Sequence, residues 1–371
     1  MNVSAVGVIF TNLHEENVPE LVRRRTMASI PFGGRYRIID FALSNMVNSG
    51  ITTVGLSTTN NYSSLFDHIG SGKDWDLARK DGGLILLPPF SDRNDAANGT
   101  RLGALASLTT FLNHRKEKYV VLYDCDNVAK FDISAMLEAH VDKKADITLV
   151  THFGDVEKNS DYLIVEADET QRVIDAKHVT RGQTKGQASV YAGIMIINRK
   201  FLLNLVEDCA THGYNNFETD VLLKQVDSLK IYNYEFQGYY AGIDSMEAYF
   251  RHNMELLDKN VRDELFGERD IYTKVRDSAP SKYGEKAQVS NSLISDGCVI
   301  EGVVENSILF RGVKVGKGAV VRNSIIMQDC VISAGASLDC VITDKNVIVT
   351  EKRRLSGCEM LPYFIQKGKH L

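Results

Sequence analysis

From residue 287 onward, aliphatic side chains recur every five or six positions: Val289, Ile294, Val299, Val304, Leu309, Val315, Val320, Ile326, Ile332 and Leu338. Between them lie mostly Ser, Gly, Asn, Asp, Ala and Cys. This period fits neither the 3.6-residue repeat of a helix nor the two-residue alternation of a strand. It fits a parallel β-helix, whose coils point one aliphatic residue per short strand into a narrow triangular core. At roughly eighteen residues per coil, the segment predicts three to four coils, stable only when stacked on one another. Such a stack needs a cap or a neighbouring subunit at its end, so an oligomer is expected.

The first 258 residues have a different rhythm. Val3–Phe10 predicts a buried strand, and a helix is predicted from a cap at Asp40 to a stop at Gly50. Residues 51–57 follow as a strand, then a helix over Arg101–His114 and a strand over Tyr119–Tyr123. Asp132 caps a further helix, with Ile133, Met136, Leu137 and His140 on one face. Alternation of this kind predicts an α/β domain with a parallel sheet and helices on both faces. Ligands of such sheets sit at the carboxyl ends of the strands, which points to residues 10–17, 58–62 and 124–128. Later strands are predicted at 147–153, 162–167, 190–198 and 230–236. The charged stretch 259–286, with Gly267, Pro280 and Gly284, reads as a linker. The expected organisation is therefore an α/β domain over 1–258, a linker over 259–286, and the β-helix with its tail over 287–371.

Net charge at pH 7 is −5, which argues against broad nucleic-acid binding. The apolar start has no basic lead and is too short to span a bilayer, so no membrane association and a cytoplasmic location are expected. The six cysteines show no C-x-x-C spacing and are expected to be reduced, apolar fillers rather than zinc ligands.

Phe32-Gly33-Gly34-Arg35-Tyr36-Arg37-Ile38-Ile39-Asp40-Phe41-Ala42-Leu43-Ser44-Asn45 is the most specific motif in the chain. Its glycines allow close approach of the backbone to a ligand or another chain, and its arginines offer forked donors to anions. The block resembles the nucleotidyltransferase block of bacterial glucose-1-phosphate adenylyltransferases, which make ADP-glucose for glycogen. Asn48-Ser49-Gly50-Ile51, His68-Ile69-Gly70-Ser71-Gly72, Gly99-Thr100 and Asn253-Met254-Glu255-Leu256 extend the likeness over nearly the whole chain. The resemblance implies a Rossmann-like nucleotidyltransferase domain followed by a left-handed parallel β-helix.

It also exposes departures. Active members carry a glycine-rich loop after the first strand. Here the loop is Phe10-Thr11-Asn12-Leu13-His14-Glu15-Glu16-Asn17, and its two glutamates would face a negative ligand at about 1 to 4 kcal/mol for a contact near 4 Å. The lysine five residues before Phe-Gly-Gly is Met27. The Lys-Asp pair of a later motif is Ala241-Gly242, with Asp244 two places off. Asp126 alone matches the family's metal-binding aspartate, with Asp124 beside it offering at most a weak Mg²⁺ site. Substrate contacts carried over are Gly99, Thr100 and Gly193, with Lys177 in a blurred sugar-phosphate motif. In regulated members, positions matching Arg24, Arg25 and Arg37 meet effector phosphates between the two domains, and Lys352-Arg353-Arg354 is expected to complete that cluster.

A whole scaffold without its catalytic loop, lysine and second carboxylate resembles the regulatory-subunit branch of the family. It implies a catalytically degenerate chain with no cofactor of its own. Mg²⁺ is expected in a catalytic glucose-1-phosphate adenylyltransferase partner, within a mixed oligomer, a tetramer, that answers to a phosphorylated effector. The alternatives are an active sugar-phosphate nucleotidyltransferase with a rearranged loop and a stand-alone sugar-phosphate sensor. An acyltransferase β-helix is disfavoured because residues 287–350 contain no histidine.

Overall fold

The computed structural model describes residues 4–88, 100–156, 161–180, 186–214 and 216–371. Nine strands form one sheet: β1 (Ala5–Phe10), β2 (Thr53–Ser57), β3 (Gly83–Leu87), β4 (Tyr119–Asp124), β5 (Ile147–Val156), β6 (Tyr162–Ala167), β7 (Val173–Val179), β8 (Gly186–Asn198) and β9 (Ile231–Phe236). The order β3-β2-β1-β4 is parallel throughout. β8 then runs antiparallel to β4, and carries β5 with β9 along one edge and β6 with β7 beyond. The expected parallel sheet is thus a mixed one. Among the described residues no helix lies between β5 and β8, and β8, following the β6–β7 hairpin, pairs antiparallel with both β5 and β4.

All six residues of β1 are buried because both faces are covered. Ala5 and Ile9 pack with α1 (Ile38–Asn48), while Val6, Val8 and Phe10 pack with α2 (Arg101–Asn113) on the other face. α3 (Ile133–Asp142), capped by Asp132 through the Ala135 amide, buries Ile133, Met136, Leu137 and His140 as its spacing predicts. α4 (Arg199–His212) and α5 (Met246–Glu255) complete the layers.

The start of α1 differs from the expectation. Its N-cap is Arg37, and Asp40 sits one turn in, accepting the Arg37 amide at 3.0 Å. The Asp40 carboxylate is fully buried, 2.5 Å from His68 Nε2 and 2.5 Å from the Thr273 hydroxyl, so it ties three segments together rather than only capping one. Gly50 ends the region at φ +77°, as expected of a left-handed stop.

The C-terminal segment is a left-handed parallel β-helix of three five-stranded sheets. Val303 pairs with Val320, Val320 with Ser337 and Ser337 with Arg354, each one coil further along. The five tiers exceed the three to four expected because partial coils extend the stack at both ends, from Lys282–Tyr283 to Tyr363–Ile365. The inward set also shifts. Ile300 and Val321 are buried while Val299 and Val320 are only half-buried, since two adjacent aliphatic residues give the repeat two possible phases. Val289, in the first coil, is exposed.

Residues 259–286 hold a helix, Lys259–Phe266, whose Leu265 is buried in the core of the first domain, and then the first β-helix strand. One face of the β-helix, with Ile308, Phe310, Ile325, Met327 and Ile342, packs directly into that same core. Gly34, at φ +84°, lies against this face: a Cβ there would come 2.8 Å from Ser295 Oγ. The Gly33-Gly34 turn therefore serves contact between the domains. Among the described residues no helix is long and apolar enough to cross a membrane, and all six cysteines are free, five of them buried.

Candidate functional site

A cavity of about 940 Å³ opens where the carboxyl ends of β1 and β4 meet β8 and β9. Residues from the loop after β1 and from 124–126 line it, as expected of this sheet type. Residues 58–60 instead brace the loop: Asn12 accepts the Thr59 amide at 3.0 Å and donates to Asn60 O at 3.3 Å. The loop is closed by a tight turn over Glu15–Asn17, with His14 in the left-handed region at φ +62°. Only Glu16 of the two glutamates faces the cavity. Glu15 turns back, accepting Asn12 Nδ2 at 2.6 Å, and burial pushes its carboxyl up to about 7.

The floor is an ion-pair cluster that the sequence did not reveal. Arg101, at the first turn of α2, donates both terminal nitrogens to Asp124 at 2.6 Å, and its Nε to Glu218 at 2.9 Å. Burial opposes the Asp124 charge, but the Arg101 guanidinium beside it holds the carboxyl below its usual range. Asp126 is pushed the other way, upward, by burial. His14 Nε2 lies 3.9 Å from one oxygen of each aspartate. Burial disfavours its charge, yet Asp124 and Asp126 outweigh that and raise the imidazole to about 9. A histidine whose pKa rises on folding adds stability below its unfolded value of about 6.5 and loses it as pH rises through the folded value. NMR titration should therefore find His14 still protonated at pH 8, and the melting-point gap between wild type and His14→Ala should shrink between pH 7 and pH 9. A His14 midpoint near 6.5 would contradict this placement.

Gly193 sits in a bulge of β8 at φ +77°, where a Cβ would lie 3.0 Å from Asn127 Nδ2 and 3.1 Å from Asp124 Cβ. Asn127 bridges this bulge to β4, donating to Asp124 O, Ala192 O and Asp126 Oδ1. The short strand Tyr240–Gly242 pairs with Asn127–Ala129 and brings Gly242 opposite Asn127.

Several expected site residues are elsewhere. Met27 is fully buried in the core, and Ala241 is likewise buried, so neither side chain enters the cavity. Thr100 lines it and caps α2 through the Gly103 amide, while Gly99 lies outside the described residues. Lys177 is exposed on β7, held by Glu166 at 2.8 Å and Asp175 at 2.9 Å, and does not reach the site. Its neighbour His178 lines the cavity instead, because successive strand residues point to opposite faces.

The residues present do not fit a catalytic Mg²⁺. Asp124 is consumed by Arg101, His14 brings positive charge to Asp126, and Gly242 offers no oxygen from a side chain. One remaining carboxylate leaves a hard cation mostly to water. Among the described residues no group of three or more His, Cys, Asp or Glu side chains is placed to hold a metal. Asp124, held by both terminal nitrogens of Arg101, is not free to share a cation with Asp126.

The expected anion cluster is also rearranged. Arg25 is buried and spoken for: its Nη2 donates to both Asp344 oxygens, at 2.5 and 2.7 Å, across the domain seam. Arg37, also buried, donates to Ser64 O at 2.5 Å, and burial lowers it to about 10. Arg24 is exposed. Arg354 opens, and Arg353 immediately precedes, the last strand of the sheet 288–290, 303–305, 320–322, 337–339 and 354–356, which is not the one packed on the first domain. A β-helix has three faces, and position within a coil, not closeness to the C-terminus, decides which face a residue joins. The lysine that reaches the seam is Lys345, next to Asp344. Burial, with Arg37, Arg25 and Lys367 adding like charge, outweighs the neighbouring Asp344 carboxylate and lowers it to about 7.

A mixed sheet with a β1-loop cavity and a stacked hexapeptide helix behind it defines a nucleotidyltransferase architecture. The nucleotidyl transferase family model matches residues 19–259, and the GlmU-like C-terminal hexapeptide model matches residues 278–357. The chain belongs to the nucleotidyl transferase family, in the group of glucose-1-phosphate adenylyltransferases and the glycogen biosynthesis protein GlgD. It is 34% identical to glycogen biosynthesis protein GlgD of Bacillus subtilis (strain 168), over 99% of this chain and 97% of that protein. With GlgD of Geobacillus stearothermophilus it shares 40% identity over 86% of this chain and 83% of the relative. The glucose-1-phosphate adenylyltransferase of Geobacillus stearothermophilus is 34% identical over 86% and 84%. These relatives support a role in glycogen biosynthesis.

Proposed function

We propose that this chain is a catalytically degenerate, regulatory subunit of glucose-1-phosphate adenylyltransferase. It would assemble with a catalytic subunit and bias that neighbour's activity. The observation that carries the reading is the Arg101–Asp124 pair with His14 beside Asp126: the carboxylates that a metal-loaded triphosphate requires are neutralised from within. Regulation is proposed to act as a population shift, this subunit favouring an active arrangement of its partner through a shared interface. Co-expression with a catalytic homologue tests it. A mixed oligomer with altered rate or effector response supports the reading, and two separately purifying homo-oligomers of unchanged activity overturn it.

The effector is proposed to be phosphorylated and to lodge at the domain seam, against Arg37, Lys345 and Lys367. An amine lowered to about 7 amid like charges is short of a counter-anion. An arriving phosphate favours the protonated lysine, so binding takes up a proton and weakens as pH rises through 7. Fructose bisphosphate should accordingly bind the purified chain more tightly at pH 6 than at pH 8, by calorimetry in two buffers of different ionisation heat. Lys345→Met should flatten that dependence. Equal affinity at both pH values would remove Lys345 from the site.

A further inference from the structure

The cavity has lost the chemistry for a polyanion, yet it remains large, open and structured. Its volume of about 940 Å³ is ample for a small-molecule site. Beyond the Arg101 cluster, its walls carry Glu16, Asp126, Asp155, Asp161 and Asp244 against His14 and Arg251. That balance repels ATP and sugar phosphates alike.

Aromatic rings line the cavity as well. Tyr240 and His152 stack with ring centroids 3.9 Å apart and 20° between planes. Tyr239 and Phe236 also line it, and Phe153, 58% exposed, stands at the cavity edge. Hydroxyl–carboxylate pairs already occur here: Tyr162 donates to Asp244 at 2.7 Å, and Tyr239 to Glu255 at 2.7 Å. Burial beside His252 lowers His152 to about 4. A neutral imidazole both donates and accepts, which suits a hydroxyl and not a phosphate. An organic cation is less well served, because the deepest carboxylate, Asp124, is already matched by Arg101.

The geometry points to a binding site for a neutral saccharide, packed against Phe153 and the Tyr240–His152 stack, with its hydroxyls on the carboxylates and imidazoles that line the cavity. Flat apolar faces edged by hydroxyls are what aromatic walls interleaved with acceptors can hold. The proposed regulatory role enters only in the choice of an α-linked glucose oligomer as probe. Binding is read on the chain alone, so it stands or fails apart from any effect on a partner's activity.

Calorimetric titration of the purified full chain with maltotriose, ATP and spermidine tests the site. Saturable binding of maltotriose is expected, with ATP and spermidine at least tenfold weaker. Phe153→Ala and Tyr240→Ala should each weaken maltotriose by about three- to tenfold, the range of one aromatic contact. Phe153 is exposed, so its variant should melt with the wild type and report on binding alone. Tighter binding of spermidine or of ATP than of maltotriose overturns the inference. So does maltotriose affinity unchanged in both variants, which would place the sugar elsewhere.

Discussion

Replacing Asp344 by alanine is expected to remove about 3 to 5 kcal/mol of stability, the cost of leaving a buried guanidinium without its partner. Arg25 and Asp344 meet at 2.5 and 2.7 Å with side chains only 3% and 7% exposed, so water cannot take over from the lost carboxylate. The pair joins the first domain to the β-helix, and its loss should open the seam around Met327 and Ile342. Urea unfolding followed through the single, buried Trp75 measures the effect. The double change Arg25→Met with Asp344→Leu should be far milder, since an apolar pair of similar size often matches a buried ion pair. A loss below about 1 kcal/mol for Asp344→Ala would mean that the pair is solvated like a surface bridge.

This ion pair also marks where sequence reading stops. The spacing of apolar residues is a local property, and it carried the β-helix, the buried first strand and the inward face of α3. Gly50 and Asp132 were legible for the same reason, because a cap is decided within one turn. The antiparallel course of β8 was not, since strand direction depends on the path of the connections between strands and not on their composition. Arg25 reads as a phosphate ligand from the family resemblance, and nothing near it in sequence discloses Asp344, 319 residues on. Lys177 and His178 show the finer limit: a one-residue uncertainty in a strand exchanges the inward and outward faces. Arg101 opens a helix, and only its approach to Asp124 after folding makes it the floor of a cavity. Lys345 was missed because its significance lies in the like charges that gather around it after folding.

The purified chain, given glucose 1-phosphate, ATP and Mg²⁺, is expected to form ADP-glucose at least about 10³-fold more slowly than a catalytic relative. Each missing charge-stabilising group is worth about 10²- to 10³-fold, and three positions of the family motif are changed here. Such losses do not simply multiply, because groups acting as a unit fail together. Single repairs should therefore achieve little. Gly242→Asp would place a carboxylate opposite Asn127, but Asp126 would still face a charged His14 and the triphosphate would still meet Glu16. Met27→Lys is worse, since that position is fully buried and a lysine there loses solvation before it can meet any phosphate. Radiolabelled ADP-glucose formation by wild type and by Gly242→Asp gives a clear readout, with a catalytic homologue as standard. Turnover by either protein within about 100-fold of that standard would show that one carboxylate and a rearranged loop suffice, and the degenerate-site reading would have to be abandoned. If both stay silent while a mixed oligomer responds to an effector, the contribution of this chain lies in its interfaces. The His14–Asp126 and Arg101–Asp124 contacts are then what keeps the old cleft folded after its charge for catalysis was lost.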